Sequence, residues 1–374
     1  MSAISSLKIR YLIKGIQSAA RLISYRLVNL TFVAESMKFF PIILLSILLS
    51  SCQLSNEANK NSNSAAIRSI GGVERVDPRI NAIIPQTAQI EILAQGHEWT
   101  EGPVWVPEIQ SVLYSDIPKN AIFRWSEKDS VSLWLRPAGF TGRSPRGGES
   151  GSNGLLLDEE GRLLLAQHGD RRIARLESSL HAPESQFTTL SDSFNGLRFN
   201  SPNDLARRSN GDLYFTDPPY GLEGGMDDPS KEMAIQGVYR LTTDGSVSLL
   251  IEDLSRPNGI AFSPDENTLY VANSDGSQPT IMAYPVHSDG SIGEGSIFFD
   301  SWGDGLSIDE EGNVYVAGPD NGVLIISPEG EHLGSISTTQ RTSNSVFGDD
   351  GSTLYITADM YLLRIRLNVK GAGF

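Results

Sequence analysis

The chain has 374 residues, 39% of them hydrophobic, with 36 Gly and 19 Pro, the composition of a turn-rich globular protein of one large or two ordinary domains. Its formal net charge of −15 argues against a nucleic-acid partner and suits hard cations or neutral small molecules. The single cysteine, Cys52, excludes an intramolecular disulfide framework and a multi-cysteine metal site.

Residues 1–52 carry six Lys/Arg against one Glu, so the acidity is concentrated in the rest of the chain. Within them, "MKFFPIILLSILLSSC" begins at Met37 with a basic residue, continues as a short apolar run and ends on small residues before Cys52. Those are the parts of a secretory signal, and the run falls short of the ~20 residues a membrane span needs. The ending resembles the lipobox of bacterial lipoproteins. This predicts an N-terminal extension and signal over 1–52, with the mature body exported. The body is expected in the periplasm or at the outer membrane, its only membrane contact a lipid anchor on Cys52. The polar tract "QLSNEANKNSNSAA" then reads as a linker, giving a linker and N-terminal arm over 53–88.

Past the arm, one hairpin pattern recurs. Each copy has an apolar strand, a turn rich in Asp, Gly, Asn and Ser, and a second strand whose centre is Tyr114, Leu164, Tyr214, Tyr270, Tyr315 or Tyr355. Successive centres are 50, 50, 56, 45 and 40 residues apart. A further short strand follows each one: "AIFRW", "RIARLE", "GVYRL", "IMAYPV", "GVLII" and "YLLRIRL". Six units of short strands without helical periodicity predict an all-β fold, a six-bladed β-propeller with four-stranded blades over 89–370.

The first strand of every unit is preceded by an oxygen-bearing side chain: Glu101, Asn153, Asn203, Asn258, Asp304 and Asn344. These stand 13, 11, 11, 12, 11 and 11 residues before the six centres. The innermost strands of a propeller line its channel, so equivalent positions form a ring at one mouth. Any one Asn there could simply be turn chemistry. Two carboxylates and four amides at matching positions instead suit one divalent cation, Ca²⁺ foremost, with Zn²⁺, Mg²⁺ or Mn²⁺ as alternatives. Zn²⁺ would more often recruit the His or Cys that the ring lacks.

With these residues set out, the chain resembles the senescence-marker-protein/gluconolactonase family of six-bladed propellers. The likeness is carried by "WTEGPVW", "GGESGSNGLLLDEEGRLLLAQHGDRRIAR", "NSPNDLARRSNGDLYFTDPPYG", "RPNGIAFSPDENTLYVAN" and "GDGLSIDEEGNVYVAG". It implies metal-dependent hydrolysis of a lactone, with the metal held by Glu101, Asn258 and Asp304 and with Asn203 beside it. Asp304 is then the first candidate for the catalytic acid–base group, and His168 of "AQHGDRR" the other. Asn203, Asn153, Glu149, His168 and Arg171 are the expected substrate contacts; the alternative is a structural loop histidine for His168, a blade salt bridge for Arg171 and a solvated loop carboxylate for Glu149. Asp217 of "YFTDPPYG" is either a pocket residue or a turn cap. Three rival readings are an organophosphate-hydrolase-like calcium propeller, a non-catalytic surface-binding propeller and a metal-free strictosidine-synthase-like propeller, the last disfavoured by the Glu101 and Asp304 carboxylates.

Overall fold

A computed structural model of the protein describes residues 68–144 and 146–374. The expected signal, the lipid-anchor cysteine Cys52 and the polar linker after it lie outside the described residues.

Six antiparallel sheets follow one another around an axis, each running from an inner strand outwards. The first blade is built from Thr100–Val106, Ser111–Asp116, Ala121–Ser126 and Ser130–Leu135, paired in that order. The second, third and fourth blades repeat the plan, with inner strands Ser152–Leu157, Leu205–Arg207 and Pro257–Phe262. The fifth starts at Leu306–Ile308 and the sixth at Thr342–Gly348. All six second-strand centres fall on the second strand of a blade, so the repeat in the sequence is the repeat of the fold.

Those centres recur because of where they pack. Tyr114, Tyr214, Tyr315 and Tyr355 are fully buried. Tyr214 meets Phe262 of the next blade edge-on at 4.9 Å, and Tyr315 meets Phe347 of the next at 5.2 Å. Tyr355 of the last blade stacks on Trp105 of the first at 6.0 Å, so an aromatic pair seals the ring where it closes. The apolar core is accordingly a set of clusters, such as the one joining Val104, Leu113 and Ile122 of blade 1 to Leu155 and Leu165 of blade 2.

Closure of the backbone comes from upstream. The outermost strand of blade 6 is Glu91–Gln95, paired with Tyr361–Arg366, so the two ends of the propeller share one sheet and leave no open seam. The packed body also extends beyond the boundary expected at residue 89. Gly72–Arg75 adds a fifth strand to blade 5 against His332–Ser337. The short helix Ile80–Ile83 then drives Ile80 and Ile83 into the cluster around Tyr315 and Phe347.

Candidate active site

At the channel mouth the inner strands lose their regular pairing. The ladder is interrupted between Glu101 and Val104, Ser152 and Leu155, Pro257 and Ile260, and Thr342 and Asn344. Each break releases a side chain from the strand's alternation and turns it toward the axis. The freed backbone is used between blades: Gly154 N–H donates to Asn203 O at 2.8 Å, and Gly259 N–H to Asp304 O at 2.8 Å. This approach is so close that a Cβ on Gly259 would lie 2.2 Å from the Asp304 carbonyl oxygen. Gly102 sits at φ +46° against Asn153 O in the same way. The glycine after an Asn, Glu or Asp in "EGP", "PNG" and "DGL" is thus the condition for knitting neighbouring blades at the ring.

Five ring residues, Glu101, Asn153, Asn203, Asn258 and Asp304, line one cavity of about 430 Å³, a volume suited to a small molecule. The amides form a directed chain. Asn153 Nδ2 donates to Asn203 Oδ1 at 2.7 Å, and Asn203 Nδ2 donates to Asn258 Oδ1 at 2.7 Å. Asn153 Oδ1, at the start of the chain, is buried without a hydrogen-bond partner. Glu101 accepts the Gly102 N–H at 3.0 Å. Second-strand ends hold the loops that lead into the ring. Asp217 accepts the N–H groups of Asn200 and Ser201, both at 2.7 Å, which is a turn-capping role.

The cavity concentrates negative charge. Burial pushes Asp304 up to about 8, helped by the charges of Glu149 and Asp204, while hydrogen bonding from Asn258 draws it back. Burial likewise raises Glu101 well above the usual carboxylate range, with the Asp304 charge adding to it. Among the described residues neither acid has a Lys, Arg or His within ion-pair distance. No three His, Cys, Asp or Glu side chains gather to hold an ion among the described residues. A cation at this mouth would therefore need a mixed set of carboxylate and amide oxygens. Glu101, Asp304, Asn258 and the unpartnered Asn153 oxygen are such a set, all hard oxygen donors, and they fit Ca²⁺ chemistry.

Three expected positions lie elsewhere. Asn344 does not line the cavity: its amide packs on Gly305, its oxygen accepts the Ser345 N–H at 2.8 Å, and it also bonds Asp204. His168 is fully buried behind the ring, with Nε2 3.1 Å from Asn203 Oδ1 and Nδ1 3.3 Å from Glu149 Oε2. It can orient Asn203, whereas Glu149 itself lines the cavity. Arg171 points into a neighbouring pocket, because its guanidinium is drawn to Phe199 O at 2.7 Å and Ser230 O at 2.8 Å.

The family model described as SMP-30/Gluconolactonase/LRE-like region matches residues 99–359. The chain belongs to this family. A gluconolactonase of Zymomonas mobilis is 38% identical, the match covering 85% of this chain and 91% of that protein. A gluconolactonase structure from Xanthomonas campestris superposes with a TM-score of 0.69 at 30% identity, over 80% of this chain and 97% of that one. A calcium-binding regucalcin from Agrobacterium tumefaciens shares the fold at TM-score 0.59 and 19% identity, over 76% of this chain and 94% of its own.

On this SMP-30/gluconolactonase-type scaffold, the cavity walls include residues that motif reading passed over. Trp99, Arg256 and Trp302 each stand two positions before a ring residue and line the same cavity. The strand period of two was the available signal. Tyr220, Ser274 and Arg341 complete the rim, with Arg341 lying 4.9 Å over the Trp99 ring. Asp204, directly after Asn203, is a further buried carboxylate, raised by burial to about 6.

Proposed function

We propose that the protein is a lactone hydrolase of gluconolactonase type, acting on a sugar lactone such as glucono-1,5-lactone in the channel mouth. The observation that carries this reading is the pair of buried carboxylates, Glu101 and Asp304, facing one cavity beside an unpartnered amide oxygen, with neither acid in an ion pair among the described residues. The identity to a gluconolactonase over most of both chains supports the same chemistry.

In this reading Glu101, Asn258 and Asp304 hold a divalent cation, with Asn153 Oδ1 as a further donor. Ca²⁺ is the favoured ion, in keeping with the calcium-binding regucalcin of the same fold. When bound, such an ion supplies Lewis-acid polarisation of a carbonyl and lowers the pKa of water. The chain's residues do the rest. Asp304 is the group positioned to take the proton of the attacking water. Asn203 and Asn153, fixed by their mutual hydrogen bond, orient the lactone. Glu149, Arg256 and Arg341 offer partners for ring hydroxyls, and the Trp99, Trp302 and Tyr220 rings cover the sugar face and exclude bulk water.

A pH-stat assay on glucono-1,5-lactone, other lactones and one phosphotriester, before and after chelation and Ca²⁺ return, tests the proposal. Lactone hydrolysis that is lost to chelator and restored by Ca²⁺ is expected. Asp304→Ala should lower kcat by roughly 10²-fold or more and weaken cation binding together. Full activity in that variant overturns the assignment.

A further inference from the structure

A second cavity, of about 690 Å³, adjoins the loops that back the first. Three guanidinium groups line it: Arg146, Arg171 and Arg198. Arg171 is 3% exposed. Its Nε and Nη1 are engaged by Phe199 O and Ser230 O, but Nη2 is buried with no partner. Arg146 donates to the carbonyls of Gly169 and Gly221 and lies 5.6 Å over the Phe140 ring. Arg198, on the exposed side, donates to Asp170 O at 3.1 Å.

None of the three is paired with a carboxylate among the described residues. Three acids do share the walls, and each is already committed. Asp170 accepts from Thr141 Oγ1 at 2.6 Å and pairs with Arg172 at 3.0 Å. Glu223 accepts the Gly147 N–H at 2.6 Å, and Asp228 those of Gly224 at 2.7 Å and Ser230 at 2.8 Å. Burial, and next the charge of Arg198, hold the Arg171 pKa below its ordinary value, against the opposing charges of Glu232, Asp217 and Asp228.

The geometry points to a binding site for a small oxyanion, a carboxylate or a phosphate, held among Arg146, Arg171 and Arg198 in the cavity that all three line. The guanidinium fork matches both planar and tetrahedral oxyanions, and charge-assisted bonds of this kind are the stronger ones. General surface basicity cannot stand in for such a site, because the chain's net charge of −15 repels anions elsewhere. The inference does not depend on the hydrolase reading.

The full chain is titrated calorimetrically with inorganic phosphate and, separately, with acetate. Wild type is compared with Arg198→Gln, Arg171→Gln and, in the reaction cavity, Arg341→Gln. Saturable binding of at least one anion is expected, weakened about tenfold or more in the first two variants and unchanged in the third. Phosphate or acetate alone binding in this pattern assigns the anion class. Arg198 is exposed and outside the reaction cavity, so Arg198→Gln should keep wild-type lactonase activity and report on binding even if Arg171→Gln fails to fold. No saturable binding, or binding that Arg198→Gln leaves intact, overturns the site.

Discussion

Asn153 Nδ2 donates to Asn203 Oδ1 at 2.7 Å, and with that bond made the Asn153 oxygen is left buried with no donor in reach. An unsatisfied buried acceptor costs about 1–3 kcal/mol, which a bound cation or a substrate hydroxyl would offset. In Asn153→Ala the oxygen is gone, while Asn203 keeps His168 Nε2 at 3.1 Å. The variant is expected to raise the Ca²⁺ Kd about tenfold with little change in Tm in metal-free buffer. Calorimetric titration reads the first and thermal unfolding the second. An unaltered Kd would remove Asn153 from the cation-binding set.

Gly259 sets the position of Asp304 from the neighbouring blade. A Cβ there would lie 2.2 Å from Asp304 O and 2.8 Å from Gly305 C, and neither backbone atom can yield without moving the carboxylate. Gly259→Ala should therefore cost about 1–3 kcal/mol in urea unfolding and lower kcat more than it raises KM. Wild-type kinetics with normal stability would show that the bond from Gly259 N–H to Asp304 O does not position the acid.

The architecture was legible because one physical need repeats six times. A second-strand aromatic or Leu must fill the gap to its surroundings, so Tyr114, Tyr214 and Tyr315 mark their blades in the sequence as they do in the core. The ring was legible for a similar reason: breaks in strand pairing in four blades, and the start of the inner strand in the other two, put a polar residue at the matching position of every blade. Which members share the cavity was not legible. Asn344 withdraws because Asp204, standing where four of the other blades carry glycine, offers its amide a buried carboxylate. His168 and Arg171 are only three residues apart, yet one lies behind the ring and the other in the adjoining pocket. Nothing in "QHGDRR" encodes that division, since it depends on which carbonyls of the following blade lie in reach.

The segment before the propeller was hidden by its brevity, since "INAI" gives one helical turn and no measurable period. Its packing makes a definite prediction. Ile80 is fully buried among Ile84, Ile336 and Ile356, so Ile80→Ala should cost about 2–5 kcal/mol. The site lies at the channel mouth and the helix at the blade periphery, so kcat should hold at temperatures where the variant stays folded. Urea unfolding and steady-state kinetics on one preparation check both halves. A stable variant would mean that Ile80 does not pack on blades 5 and 6 as described.

Asp217 gives a pH-dependent test that is independent of any bound ion. Burial pushes its pKa up to about 7 despite the two N–H groups that its oxygens accept. The unfolded chain would release that proton near pH 4, so between about 4 and 7 the folded state holds more protons than the unfolded one. Stability from this residue therefore falls as pH rises through that window and levels off above it. Asp217→Asn loses an acceptor at every pH, a constant offset, but it has no proton to release. The decline of Tm from pH 4 to 7 should be shallower in Asp217→Asn than in wild type, and parallel curves would mean that Asp217 ionises normally in the folded protein.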